Sequence, residues 1–69
     1  MTINDATFLI GQLNPILKKT HWYMQRLHLD PENEDIEVCN MFGAVFYRIH
    51  YPEYRMAGAL KKIMEEVYG

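Results

Sequence analysis

The sequence predicts an all-α protein, a small three-helix bundle, and three observations lead to this fold class. Apolar residues recur at three- and four-residue intervals in three segments, which is the spacing of one face of an α-helix. Proline, glycine and charged residues separate these segments, so the connections between the helices should be short. The chain has 69 residues, which is enough for one domain, and we expect a single helical domain over residues 1–69.

The first segment runs from about Asp5 to Leu29 and is predicted to be a helix. Pro15 interrupts it, because proline removes a backbone hydrogen bond and presses against the carbonyl four residues earlier. Either one kinked helix or two short helices result, and we favour the kinked helix. Asp30 precedes Pro31, a position that disfavours helical dihedrals, so the helix should end there. The apolar face consists of Leu9, Leu13, Ile16, Thr20, Met24 and Leu27.

The second segment, from about Asp35 to Tyr51, is also predicted to be helical. It is rich in β-branched and aromatic residues, so a strand is the alternative. The helical spacing fits better than an alternation of period two, and no second strand is evident with which a strand could pair. The core face would carry Val38, Phe42, Val45 and Ile49, with Cys39 and Phe46 beside it.

The third segment begins at Pro52 and ends at Gly69, in the positions that proline and glycine favour at helix ends. It has the pattern of an ordinary amphipathic helix, with lysine and glutamate on its outer side. Its apolar face consists of Met56, Ala59, Leu60, Ile63, Met64 and Val67.

Size and composition limit the classes of protein that are possible. A chain this small buries only about 60% of the surface that its unfolded form exposes, so it needs further support. Cys39 is the only cysteine, which excludes an internal disulfide and predicts a small buried side chain in a reducing compartment. The net charge of −2 argues against a dedicated nucleic-acid binder. No membrane span or signal peptide is evident. We therefore expect a complete cytoplasmic protein that self-associates, as a homodimer, or binds a partner protein.

The three predicted helices leave several aromatic residues without a place in the core. On a helical wheel Trp22 points away from the core, and the reverse face of the second helix has small residues between tyrosines. This face would form a shallow groove, unless a neighbouring helix of the same bundle fills it. Exposed aromatic patches are typical of protein interfaces. The predicted partner-binding residues are Trp22, Gly43, Ala44, Tyr47, Arg48, Tyr51, Tyr54 and Arg55.

Catalytic residues, cofactors and metal ligands are not expected. The chain has no serine, and its four glycines are scattered rather than gathered in a phosphate-binding loop. His21 and His28 would lie about 10.5 Å apart along a helix, too far to bind one ion. A metal site within the chain would need His50 and an acidic residue that folding brings together.

The sequence therefore predicts a non-enzymatic protein–protein interaction module, a stoichiometric inhibitor or adaptor that binds a host or cognate protein. Small chains of this kind are typical of phages and mobile elements. The alternative is a small helix-turn-helix-like DNA-binding regulator, with its tight turn at His50–Glu53. Glutamates among the lysines on the outer face of the third helix disfavour contact with phosphate. Stacking of nucleotides on tyrosines beside arginines is a further alternative.

Overall fold

The computed structural model describes residues 1–20 and 25–68 and shows an α+β fold. The prediction of an all-α three-helix bundle is therefore wrong, because the middle of the chain forms a sheet. The principal elements follow one another as α1 (Ile3–Thr20), β1 (Gln25–Asp30), β2 (Asp35–Asn40), β3 (Val45–His50) and α2 (Met56–Tyr68). A short 3₁₀ helix, Tyr51–Glu53, connects β3 to α2.

The three strands form an antiparallel sheet in the order β1–β2–β3. Apolar and polar residues alternate over part of each strand, which is the pattern of a sheet with one buried face. Leu27 lies opposite Val38, and Val38 lies opposite Tyr47. The face that packs against the core carries Leu27, Leu29, Ile36, Val38, Tyr47 and Ile49.

Both helices contribute to a single core with this apolar face of the sheet. α1 continues through Pro15 as one helix, and its buried residues follow the spacing that a helix face requires. Within the described residues, neither helix combines the length and the apolar character that crossing a membrane requires. The helices bury Ala6, Leu9, Leu13 and Leu17 from α1, and Ala59, Ile63 and Val67 from α2.

The end of the first predicted helix and most of the second form strands instead. The end of the first segment, Gln25–Asp30, forms β1, and Asp35–Tyr51 forms a hairpin of β2 and β3 that continues into the 3₁₀ helix. Val38 and Ile49 do reach the core, but as alternate residues of strands rather than as neighbours on a helix face. Phe42, which was assigned to the same helix face, lies in the turn of the hairpin.

α1 is attached to the edge of the sheet through the side chain of Asn14. Its Nδ2 donates a hydrogen bond to the carbonyl oxygen of Leu27 at 3.1 Å, and its Oδ1 accepts one from the Leu27 N–H at 2.8 Å. β1 is an edge strand, where backbone groups lack a neighbouring strand. The amide of Asn14 therefore provides the hydrogen bonds that a fourth strand would otherwise provide at this position.

The β1–β2 connection is a short acidic turn over residues 31–34. The carboxylate of Asp30 accepts hydrogen bonds from the Asn33 side-chain amide at 2.8 Å and from the Asn33 N–H at 3.3 Å. These bonds lower the pKa of Asp30. Glu34 completes the turn with a φ of 56°, in the left-handed region.

Candidate functional site

The predicted contact tyrosines pack on or beside the core. Tyr51 is only 3% exposed and belongs to the core cluster, and its burial raises the pKa of its hydroxyl. Tyr47 and Tyr54 are half-buried and pack against the same cluster. These residues therefore do not form the exposed aromatic patch that a helical second segment implied. A role for them in partner binding stays a prediction.

The remaining predicted contact residues are distributed over the surface. Gly43 and Ala44 are exposed in the loop between β2 and β3. Arg48 is exposed on β3, and Arg55 is exposed immediately before α2. Trp22 lies outside the described residues. The structure thus brings Gly43 and Ala44 together on a hairpin loop and not in a groove between helices.

The hairpin loop, residues 41–44, is held by the residue that precedes it. Asn40 Oδ1 accepts hydrogen bonds from the N–H of Phe42 at 2.9 Å and from the N–H of Ala44 at 3.0 Å. Two backbone bonds close the loop, from Asn40 N to the Ala44 oxygen and from Gly43 N to the Asn40 oxygen. Gly43 has a φ of 85°, which glycine adopts without steric cost. The loop is therefore a defined turn in which the N–H groups of Phe42, Gly43 and Ala44 are all paired.

This loop presents an apolar surface to solvent. Phe42 is 86% exposed, the most exposed large apolar side chain among the described residues. Met41 beside it and Phe46 on β3 are each about half exposed. We refer to Met41, Phe42 and Phe46 as the hairpin surface. The sequence does indicate a turn here, because asparagine and glycine on either side of Met41 and Phe42 are typical turn residues.

A β-bulge separates Phe46 from the regular pairing of the hairpin. Cys39 pairs with Val45 and Val38 pairs with Tyr47, so Phe46 is an additional residue on β3. Bulges change the direction of a side chain and increase the local twist of a strand. The bulge therefore explains how an aromatic residue within a strand stays partly exposed beside the loop.

The face of the sheet opposite the helices is polar, and two ion pairs cross it. Arg48 Nε lies 3.2 Å from Glu37 Oε2, and His50 Nδ1 lies 3.2 Å from Asp35 Oδ1. The hydrogen bond to Asp35 raises the pKa of His50. We refer to this face as the polar face; it carries Arg26, His28, Asp35, Glu37, Cys39, Arg48 and His50.

Three potential metal ligands meet on the polar face. The ligand atoms of His28, Glu37 and Cys39 all lie within 4.8 Å of one another. Cys39 is 2% exposed, which confirms the prediction of a small buried side chain, although it lies on the face turned away from the helices. Burial, followed by the charge of Glu37, raises the pKa of its thiol. This cluster was not predicted, because a helical interpretation places His28 and Cys39 on different helices.

Comparisons with known proteins add no family to these observations. No protein-family model matches the sequence, and searches of curated proteins and of solved structures find no significant match. Any proposal about function must therefore come from the hairpin surface and the polar face of this chain.

Proposed function

We propose that the protein is a non-enzymatic protein-binding module that contacts its partner through the hairpin surface. The observation that carries this proposal is the 86% exposure of Phe42 on a loop whose backbone is fixed by Asn40. Exposed aromatic residues on defined loops are frequent interface residues, and large apolar side chains dominate binding energies. Gly43 and Ala44, two of the contact residues predicted from the sequence, belong to the same loop.

The energetics favour Phe42 as the main contact residue. Transfer of an exposed phenylalanine side chain into an apolar pocket contributes about 1.5–3 kcal/mol. A loop that is already ordered loses little conformational freedom on binding, so more of this contribution remains as affinity. The hydrogen bonds of Asn40 and the conformation of Gly43 provide this order before any partner is bound.

The chemistry around the loop favours a protein with an apolar pocket as the partner. No charged residue occurs from Val38 to Tyr47, so the centre of the contact is free of charge. The centres of protein interfaces are depleted of charged residues in the same way. Glu37 and Arg48 flank this uncharged segment and could form the polar rim. We propose a host or cognate protein, bound stoichiometrically by an inhibitor or adaptor, as the partner.

The DNA-binding alternative has no support from the arrangement of the elements. A helix-turn-helix needs two consecutive helices joined by a tight turn. In the described part of the chain, α2 follows strand β3 and a short 3₁₀ helix instead. DNA binding as such stays an untested alternative, and steeply salt-dependent binding to duplex DNA would support it.

The test is affinity capture from the native host with three forms of the protein: the unchanged chain, Phe42→Ala and Phe8→Ala. Phe8 is the matched control, because it is 59% exposed on α1 and loses the same side chain. We expect a protein that the unchanged chain and Phe8→Ala capture and that Phe42→Ala does not. With that partner purified, Phe42→Ala should weaken the Kd about 30-fold or more, as expected for a hot-spot residue.

Two results would contradict the proposal. One is equal capture of every partner by the Phe42→Ala and unchanged chains, with circular dichroism showing that both are folded. The other is equal loss of binding in Phe42→Ala and Phe8→Ala, which would indicate nonspecific binding by exposed phenylalanines. Sedimentation at micromolar concentration checks whether the captured partner is a second copy of this chain.

A further inference from the structure

The pairing of β1 with β2 brings three different metal-binding side chains to one place. His28 lies directly opposite Glu37, and Cys39 follows two residues later on the same face of β2. Neighbours of this kind on a sheet face are close enough for their side chains to meet. An imidazole nitrogen, a carboxylate oxygen and a sulfur therefore lie within 4.8 Å of one another.

Two of these three side chains have no other partner in the described structure. Neither the His28 ring nor the Cys39 thiol makes a hydrogen bond or ion pair with another described residue, whereas His50 on the same face bonds to Asp35. The Cys39 sulfur is buried and lies close to the carboxylate of Glu37. A bound cation would compensate the charge of this carboxylate and of the thiolate that forms when the thiol releases its proton to the metal.

From this geometry we infer that His28, Glu37 and Cys39 bind a transition-metal ion, with Zn²⁺ the best fit. Zn²⁺ binds thiolate, imidazole and carboxylate ligands at about 2.0–2.3 Å and prefers four-coordinate tetrahedral geometry. Three ligands from the chain leave one coordination position for water or for a group from another molecule. Hard cations such as Mg²⁺ and Ca²⁺ prefer oxygen ligands, so the thiolate and imidazole disfavour them.

The site needs only side-chain movement to reach metal-binding distances. Ligand atoms of a tetrahedral zinc site lie about 3.3–3.8 Å apart, which follows from bond lengths of about 2.0–2.3 Å. The ligand atoms of the three residues are up to 4.8 Å apart in the structure. Rotation of the exposed His28 ring can bring its nitrogen closer to the other two ligand atoms. The two strands that carry the ligands are already paired over six residues each. The backbone can therefore stay in place when the metal binds.

Arg48 contacts the site without blocking it. Its Nε is 3.2 Å from Oε2 of Glu37, which leaves Oε1 available as a ligand. Hydrogen bonds of this kind from outside the ligand set hold carboxylate ligands in position. Because the Cys39 thiol must lose its proton to bind a metal ion, metal affinity should increase as the pH rises.

The test uses the full chain without a histidine tag, freed of metal with a chelator and titrated with Co²⁺ alone. We expect the near-ultraviolet absorption band of a cobalt–thiolate bond, saturation at one equivalent, and loss of the band when Zn²⁺ is added. His28→Gln should lower the affinity for both ions by more than about tenfold. His50→Gln, which alters another exposed histidine of the polar face, should leave the affinity unchanged.

Cys39→Ser should abolish the absorption band, but Cys39 is buried and its substitution could unfold the protein. His28 is exposed, so His28→Gln tests the site in a chain that remains folded. The inference is overturned if the unchanged protein shows no cobalt–thiolate band with excess Co²⁺. It is also overturned if His28→Gln binds as tightly as the unchanged chain, or if His50→Gln weakens binding equally. None of these measurements depends on the hairpin surface.

Discussion

The side-chain amide of Asn14 pairs with both backbone groups of Leu27, its Nδ2 with the carbonyl oxygen and its Oδ1 with the N–H. One residue of α1 thereby fixes the position of the helix along the edge strand β1. Asn14→Ala removes both bonds and leaves the two edge groups of β1 without these partners. We expect it to lower the free energy of unfolding by about 2–3 kcal/mol in urea denaturation.

Gln12→Ala is the control for this prediction, because Gln12 is exposed on the same helix. A surface change of this kind should alter the free energy of unfolding by less than about 0.5 kcal/mol. If Asn14→Ala changes the free energy of unfolding as little as Gln12→Ala does, the Asn14 amide does not hold the helix on the sheet.

The same chemical change should have opposite effects at two glycines. Gly43→Ala should destabilise the protein by about 1–2 kcal/mol, because its φ of 85° is unfavourable for a residue with a Cβ atom. Gly11→Ala lies within α1 with open space around the added carbon and should stabilise the protein by about 0.5–1 kcal/mol. Thermal unfolding of the two variants measures the difference. Shifts of Tm with the same sign in both variants would argue against the described conformation of the hairpin loop.

The ion pair between His50 and Asp35 should make stability depend on pH. Because the folded-state pKa of His50 is raised, its contribution is complete below the unfolded pKa and disappears as the pH rises through the folded value. The loss of Tm in His50→Gln should therefore be larger at about pH 5.5 than at about pH 8.5. In an Asp35→Asn background most of this difference should disappear, because the hydrogen bond to Asp35 is the largest cause of the raised pKa. A loss of Tm that is independent of pH would exclude the pair as its cause.

Alanine substitutions of Phe42 and Tyr51 should differ sharply in their effect on the free energy of unfolding. Tyr51 is buried in the core, so Tyr51→Ala should cost about 3–5 kcal/mol of unfolding free energy. Phe42 is almost fully exposed, so Phe42→Ala should change stability by less than about 0.5 kcal/mol. Urea denaturation measures both. A large loss of stability in Phe42→Ala would mean that its side chain packs within the fold and is not free for a partner.

The helices could be predicted from the sequence better than the strands. In α2 the apolar residues Ala59, Ile63 and Val67 repeat at four-residue steps over 13 residues, which is long enough for the period to be distinctive. Each strand has only six residues and therefore about three inward positions. At that length a period of two and a period of 3.6 are difficult to separate.

The hairpin was obscured by coincidences of spacing and by its bulge. Val38, Phe42, Val45 and Ile49 are separated by four, three and four residues, which is the spacing of a helix face. Buried Cys39 directly after buried Val38 also breaks the alternation that a regular strand would show. The hairpin surface was missed for the same reason, because the apparent helix period assigned Phe42 to the core.

The candidate metal ligands could not have been found without the strand pairing. His28 and Glu37 are nine residues apart, and nothing in that interval is a known metal-binding spacing. They become neighbours only because β1 and β2 pair in an antiparallel register around a four-residue turn. Glu37 and Cys39 are two residues apart, and residues at this spacing lie on the same face of a strand. Their proximity would have been recognised if the second segment had been predicted to begin with a strand.

The closed hairpin loop also bears on how this protein could evolve. Asn40 and Gly43 determine the backbone of the loop, and the exposed side chains of Met41 and Phe42 are not needed for that purpose. Mutations at these two positions can therefore accumulate with little penalty to folding. A lineage could follow a changing partner, or acquire a new one, by substitutions at two sites while the rest of the chain stays under constant selection for the fold.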